Sequence, residues 1–337
     1  MCRRLLPRVL GDSEDGDRAG ERTVSSGATP SDPSPASGRT RTFGVIGDPI
    51  EHSLSPALHE MMLAHWGIEA RYLPFRVEPG RLDATLDRIR ARDFSGINIT
   101  LPHKISAATL VDRLEGDAAV LGAVNTVRLE EDGTLSGHNT DVRGLELALR
   151  YAGDDALLTR GRGAPGPALV LGAGGAARAA VLALARAGFD PIAVSARRPA
   201  RALDLIDRLR SALPRSTSTE SMELSSLALS ALQTRIPPVA LVAQATSCGI
   251  GDQADLSPWP SDLPYPEDAA LLDLVYQPEA TPFLRRAGRR PSSDGLPMLV
   301  WQGALALAIF AGTPLPPPDQ VREWERALRE RQRKEGT

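Results

Sequence analysis

From Thr42 onward, short apolar runs alternate with stretches whose apolar residues recur at helical spacing. Residues 42–47 predict a strand, and residues 55–66 a helix capped by Ser55 with Pro56 at its first position. Residues 71–77 predict the next strand, 82–92 a helix and 96–100 a third strand. Residues 123–129 and 134–139 flank Glu131-Asp132-Gly133, a hairpin signature, and 141–151 has the period of a connecting helix. After a Gly/Pro-rich break at 161–167, a second series opens with Ala168-Leu169-Val170-Leu171 and an Ala/Leu-rich helix ending at Ala187. Strand-like runs recur at 191–196, 239–243 and 271–274. This alternation predicts an α/β fold of two domains, the second built on a parallel sheet with helices on both faces. The apolar run 296–311 and the amphipathic tail with Val321, Trp324 and Leu328 predict two helices that fold back onto the first domain.

Composition narrows the partners. A chain of 337 residues exceeds one ordinary core, and a formal net charge of -3 offers no field for nucleic acid or an anionic membrane. A small molecule is the expected partner. The run 296–311 is interrupted by Pro297 and Gln302 and is too short to span a bilayer, which takes about 20 residues. Cys2 and Cys248 give no disulfide framework and fit a reducing cytoplasm. The histidines show no ligand spacing, although His52 and His59 could share a helix face, so no metal is expected. Residues 1–41, rich in Gly, Ser, Pro, Arg and Asp, predict a disordered extension, and Asp12, Glu14, Asp15 and Asp17 argue against an organelle transit peptide. Monomer and homodimer both stay open.

One basic residue stands apart. Of 39 Lys and Arg residues, only Lys104 and Lys334 are lysine. Arginine cannot deprotonate in a protein and lysine can, so a chain that otherwise writes arginine has kept an exchangeable proton in Asn98-Ile-Thr-Leu-Pro-His-Lys104. Lys104 is a candidate general acid/base, against the plainer reading of a solvated lysine. Gly172-Ala173-Gly174-Gly175-Ala176-Ala177 lies between a strand and a helix, where backbone N–H groups can hold a pyrophosphate; a structural loop is the alternative. The next strand ends Ala196-Arg197-Arg198-Pro199-Ala200-Arg201, with no carboxylate for a ribose 2′-OH and three guanidinium groups for a 2′-phosphate. NADP(H) is therefore expected over NAD(H), unless these arginines merely begin a basic helix.

In the first domain, Ser53 with Ser55, Asn98 and Thr100 with Lys104, Asn125 with Thr126, and Asn139-Thr140-Asp141 all fall at strand ends. Hydroxyls, amides and a carboxylate suit a polyhydroxylated ring. At these residues the chain resembles the shikimate dehydrogenase family. The matches run in order from Gly47-Asp-Pro-Ile-Glu-His-Ser-Leu-Ser-Pro56 through Asn98-Ile-Thr-Leu-Pro-His-Lys104, Gly122-Ala-Val-Asn-Thr126, Asn139-Thr-Asp141 and the Gly172 loop. They continue with Ala245-Thr-Ser247, Tyr276-Gln-Pro, Thr281-Pro-Phe-Leu284 and Asp294-Gly-Leu-Pro-Met-Leu-Val-Trp-Gln302.

The resemblance implies a substrate domain at 42–140, a Rossmann-type NADP domain at 141–294, and residues 295–337 returning to the first domain. It implies reversible reduction of 3-dehydroshikimate to shikimate by NADPH, with Lys104 and Asp141 as the catalytic pair. Ser53 and Ser55 would hold the substrate carboxylate, Thr100, Asn125, Asp141 and Gln302 the ring hydroxyls, and Tyr276 would approach the substrate. On the cofactor side it implies Gly172, Ala173, Gly174, Gly175, Ala176, Arg197, Arg198, Arg201, Thr246, Val275, Gly295 and Met298. Three departures stand out: Gln244 replaces an Asn, Val142-Arg143 a Gly-containing pair, and Pro297 a Gly. The residues alone leave Asp141 open as a helix N-cap and the two serines open as loop and helix caps. An NAD-preferring quinate/shikimate dehydrogenase, a non-catalytic ligand sensor and a folate-type methylene dehydrogenase are the competing readings.

Overall fold

The computed structural model describes residues 41–91, 93–151, 165–213, 223–228 and 238–335, which form one compact unit. The extension expected at 1–41 and most of the break at 161–167 lie outside the described residues, apart from Arg41 and 165–167. A first lobe comprises β1 (Arg41–Gly47), α1 (Ser55–His65), β2 (Ala70–Arg76), α2 (Leu82–Arg90), β3 (Gly96–Ile99), α3 (Lys104–Ala107), β4 (Arg113–Leu114), α4 (Asp117–Leu121), β5 (Thr126–Leu129) and β6 (Leu135–His138). Its sheet runs β2-β1-β3-β5-β6-β4. The central β1 is parallel to β2 and β3, while β5 pairs antiparallel with β3 and β6, as the hairpin signature requires.

Next, α5 (Asp141–Tyr151) leads into a second lobe. It holds β7 (Ala168–Leu171), α6 (Gly175–Arg186), β8 (Ile192–Ala196), α7 (Pro199–Arg210), β9 (Leu224–Ala228), β10 (Leu241–Gln244), β11 (Ala270–Asp273) and β12 (Ser292–Ser293). This sheet is parallel throughout, in the order β12-β11-β10-β7-β8-β9. The chain builds outward from β7 to β9 and then restarts on the other side of β7 with β10. That reversal opens a crevice at the carboxyl ends of β7 and β10, where open α/β sheets take their ligands. Every residue of β7 is buried, as a central parallel strand demands, and the small Ala177, Ala179, Ala180 and Ala183 of α6 are buried with it.

The last two helices, α8 (Leu296–Ala311) and α9 (Pro318–Glu335), return to the first lobe as expected. Phe310 of α8 stacks on Phe43 of β1 with ring centroids 5.2 Å apart, and Gly96 of β3 has no room for a Cβ because the Phe310 ring occupies that space. Trp324 of α9 meets Trp66 and His65, at the C-terminal end of α1, edge-on at 5.7 and 5.4 Å. Buried aromatic rings in such contacts dominate the energetics of a local core.

Some local expectations are corrected. Leu54, not Ser55, is the N-cap of α1; Ser55 is its first helical residue, ahead of Pro56, and its backbone N–H donates to Ser53 Oγ at 3.3 Å. The Ser55 hydroxyl is thus free of a capping role. His52 precedes α1 while His59 is buried within it, so the two share no helix face. The elements α3, β4, α4 and β12 are too short to give a periodic signal, and β9 is mostly serine and alanine. Among the described residues, no helix is long and apolar enough to cross a membrane.

Candidate active site

The first-lobe strands end in loops that deliver side chains to one cleft. Lys104 opens α3 and Asp141 opens α5, and the Lys104 ammonium donates to Asp141 Oδ2 at 2.6 Å. Their side chains are 16% and 4% exposed, so the pair is largely withdrawn from water yet reachable from the cleft. Asn125 Nδ2 donates to the other Asp141 oxygen at 2.9 Å and also faces Thr140 Oγ1 and Gln302 Oε1. The Thr140 backbone N–H donates to Asn125 Oδ1 at 2.8 Å, which fixes the amide in that sense because an N–H can only donate. Behind it, Tyr72 donates to Asn98 Oδ1, Asn98 donates to Thr126, and Thr126 donates to Asn125 Oδ1. Asp141 is thus the acceptor at the end of a buried chain of donors. Its own N–H donates to Asn139 Oδ1, so Asn139, rather than Asp141, supplies the turn that starts α5.

The second lobe contributes a cradle stripped of side chains. Gly172, at φ +121°, follows β7, and a Cβ there would lie 2.7 Å from the Ala245 carbonyl oxygen. Gly174 has open space around it and is the N-cap of α6, whose first turn no side chain caps. The N–H groups of that first turn, flanked by Gly172 and Gly175 where a Cβ would clash and with open space at Gly174, fit the pyrophosphate of a dinucleotide. A Cβ on Gly175 would lie 2.9 Å from Lys104 Cβ, so the cradle abuts Lys104 itself. The Gly172 N–H donates to the Ser195 carbonyl at 2.8 Å and brings the tip of β8 beside the loop. From that tip Arg197, Arg198 and Arg201 project into solvent at the start of α7, with no carboxylate among them.

The cleft is lined by Ser53, Ser55, Thr100, Lys104, Asn125, Asp141, Tyr276 and Gln302 together with Ala176, Thr246, Val275, Gly295 and Met298. Gly172, Ala173, Gly174, Gly175 and the three arginines stand beyond its wall, along the β7 and β8 tips. Ile250 and Leu274, which had no place in the matched motifs, and Ala245 and Gln277, which lie within them but were given no role, also face the cleft; as apolar or loop residues they carry no chemical signature. The departures have local explanations. Gln244 is buried, donates to the Cys248 carbonyl at 2.9 Å and accepts the Thr246 N–H, so its longer amide still staples the turn that carries Thr246. Val142 is buried and Arg143 turns outward to Glu146 at 2.8 Å, away from the pair. A side chain is barred instead at Gly144, where a Cβ would come 2.8 Å from Gln302 Cβ. Pro297 falls in the first turn of α8, where a missing N–H costs nothing.

Asp273, at the end of β11 behind Val275 and Tyr276, had no sequence signal. Burial pushes its carboxyl up to about 7, opposed by bonds from Thr281 Oγ1 and the Val275 N–H and reinforced by Asp294. A carboxyl whose folded pKa is raised above its unfolded value contributes stability below about pH 4 and loses it as pH climbs through 7. Asp273→Asn should therefore be more stable than the parent at pH 8, by about 2–4 kcal/mol, and equal to it near pH 4. Urea denaturation at the two pH values checks this, and an equal difference at both would refute it.

The family profile for the shikimate dehydrogenase substrate binding domain matches residues 45–127. A Rubrobacter xylanophilus protein named shikimate dehydrogenase (NADP(+)) is 41% identical over 278 residues, which cover 82% of this chain and 92% of that protein. The chain belongs to the shikimate dehydrogenase family. Among solved members, the Thermus thermophilus shikimate 5-dehydrogenase in complex with NADP(H) and shikimate superposes with a TM-score of 0.68 at 38% identity, over 86% of this chain and 99% of that one. The Listeria monocytogenes shikimate 5-dehydrogenase in complex with shikimate and NAD gives 0.67 at 29% identity, over 85% and 96%.

Proposed function

We propose that this chain reduces 3-dehydroshikimate to shikimate with NADPH, and catalyses the reverse reaction. The observation that carries the reading is the part-buried Lys104–Asp141 pair, 2.6 Å apart, facing a cleft that both lobes line. When bound, the nicotinamide supplies a hydride to the substrate carbonyl carbon. Negative charge then grows on the carbonyl oxygen, and Lys104, as ammonium, polarises and protonates it; in the oxidative direction a neutral Lys104 takes the hydroxyl proton. Asp141 holds the lysine in place and, with Asn125, Thr100 and Gln302, orients the ring hydroxyls. Ser53 and Ser55 take the substrate carboxylate, and Tyr276 covers it from the second lobe. Gly172, Ala173, Gly174, Gly175 and Ala176 would hold the pyrophosphate, Thr246, Val275, Gly295 and Met298 the nicotinamide half, and Arg197, Arg198 and Arg201 the 2′-phosphate. In this reading residues 42–140 with 295–337 form the substrate domain and 141–294 the cofactor domain.

The test is a substrate panel followed at 340 nm, shikimate against quinate, with each nicotinamide cofactor, on the parent and on Arg197→Asp. The parent should prefer shikimate and NADP. Arg197→Asp should raise the KM for NADP about 10- to 100-fold, the loss of one charge-assisted contact plus a new repulsion, and leave the KM for NAD nearly unchanged. Preference for quinate, or equal effects of the substitution on both cofactors, would overturn the corresponding part of the reading.

A further inference from the structure

The buried stripe of α9 runs Val321, Trp324, Leu328 and then Gln332, at helical spacing. An apolar residue would continue the stripe; a glutamine that is 8% exposed interrupts it. Its Nε2 donates to the Tyr276 backbone carbonyl at 2.6 Å, while its Oε1 is buried with no partner. Leaving a buried acceptor unmatched costs stability, so packing does not explain the glutamine. Its one contact does. Tyr276 belongs to the loop after β11, and its hydroxyl faces Ser53 and the Leu54 backbone on the far side of the cleft mouth. One turn earlier on α9, Arg329 pairs with both oxygens of Asp294, whose Oδ1 also bonds the Leu296 N–H at the start of α8. The opposite half of α9 is pinned through Trp324 to the end of α1, the helix that begins at Ser55. The helix therefore runs from one end of the substrate-anchoring helix to the loop that bears Tyr276.

Resting on the proposed function, we infer that Gln332 is a positioning residue: α9 acts as a splint that sets the Tyr276 loop against Ser53 and so fixes the second-lobe wall of the substrate site. Gln332→Met keeps the length and packing and removes the hydrogen bond. In the full chain it should raise the KM for shikimate, and the Kd measured by calorimetry, about three- to tenfold, the worth of one hydrogen bond. The KM for NADP should not change, and Tm should stay near the parental value, because the unmatched Gln332 oxygen is removed while the Tyr276 carbonyl loses its donor. In a Tyr276→Phe background the same substitution should add little further loss. A Gln332→Met enzyme with parental shikimate affinity, equal losses for both ligands, or a loss fully additive with Tyr276→Phe would each overturn the inference. A parent enzyme that turns over neither shikimate nor quinate would instead remove the functional reading, and the inference with it.

Discussion

Lys104→Arg is expected to lower kcat for shikimate oxidation by about 10²- to 10⁴-fold while the KM for NADP stays near the parental value. The guanidinium keeps the positive charge and can reach Asp141, so the substitution separates charge from proton transfer. If Lys104 served only as a fixed cation polarising the substrate oxygen, arginine would suffice. It does not suffice if a proton must leave and return at each turnover, because arginine stays protonated at every accessible pH. Geometry adds to the penalty, because the planar guanidinium is broader than the ammonium that now sits 2.6 Å from Asp141 Oδ2, in a site where the lysine side chain is only 16% exposed. Steady-state kinetics at saturating NADP check the prediction, and a kcat within about threefold of the parent would remove general acid/base work from Lys104.

How far the chain could be read follows from what kind of order each part needs. Strands and helices long enough to repeat a period, such as β7 with its unbroken apolar run and α8 with its sixteen residues, stood out from pattern alone. The order reversal at β7 did not, because nothing in a strand's composition says which edge the next strand will join. Lys104 was legible through contrast: one interior lysine in an arginine chain. Asp141 was legible mainly through the family resemblance, since an aspartate before a helix has a sufficient local reason to be there, and only the structure moves that role to Asn139. The contact of Gly175 with Lys104 and the hydrogen bond of Gln332 to Tyr276 join residues 71 and 56 positions apart. Such pairings depend on how two lobes meet, and no local spacing encodes them.

Asp141→Asn is expected to be nearly as damaging as the loss of the lysine, lowering kcat/KM by about 10³-fold, or about 4 kcal/mol of transition-state stabilisation. The size follows from who faces this side chain. Lys104 Nζ donates to one oxygen and Asn125 Nδ2 to the other, and the Asn125 amide cannot turn round because its Oδ1 is held by the Thr140 backbone N–H. Position 141 must therefore accept on both atoms. An asparagine offers one acceptor and one NH₂ donor, so in either orientation a donor confronts a donor. With the carboxylate gone, Lys104 is also left without its counter-ion in a site where its side chain is only 16% exposed. Breaking a fully buried pair this way costs about 3–5 kcal/mol, and the residual exposure of the lysine places the expected stability loss at or below the lower end of that range. Asp141→Ala removes the clash of donors and leaves room for water beside Asn125. It should retain shikimate binding at least as well as the isosteric asparagine, an inversion of the order that size alone would give. Calorimetric titration of both variants with shikimate, beside thermal melts, decides it: an asparagine variant that binds tightly and keeps about a tenth of parental activity would show that a neutral amide meets the needs of this site.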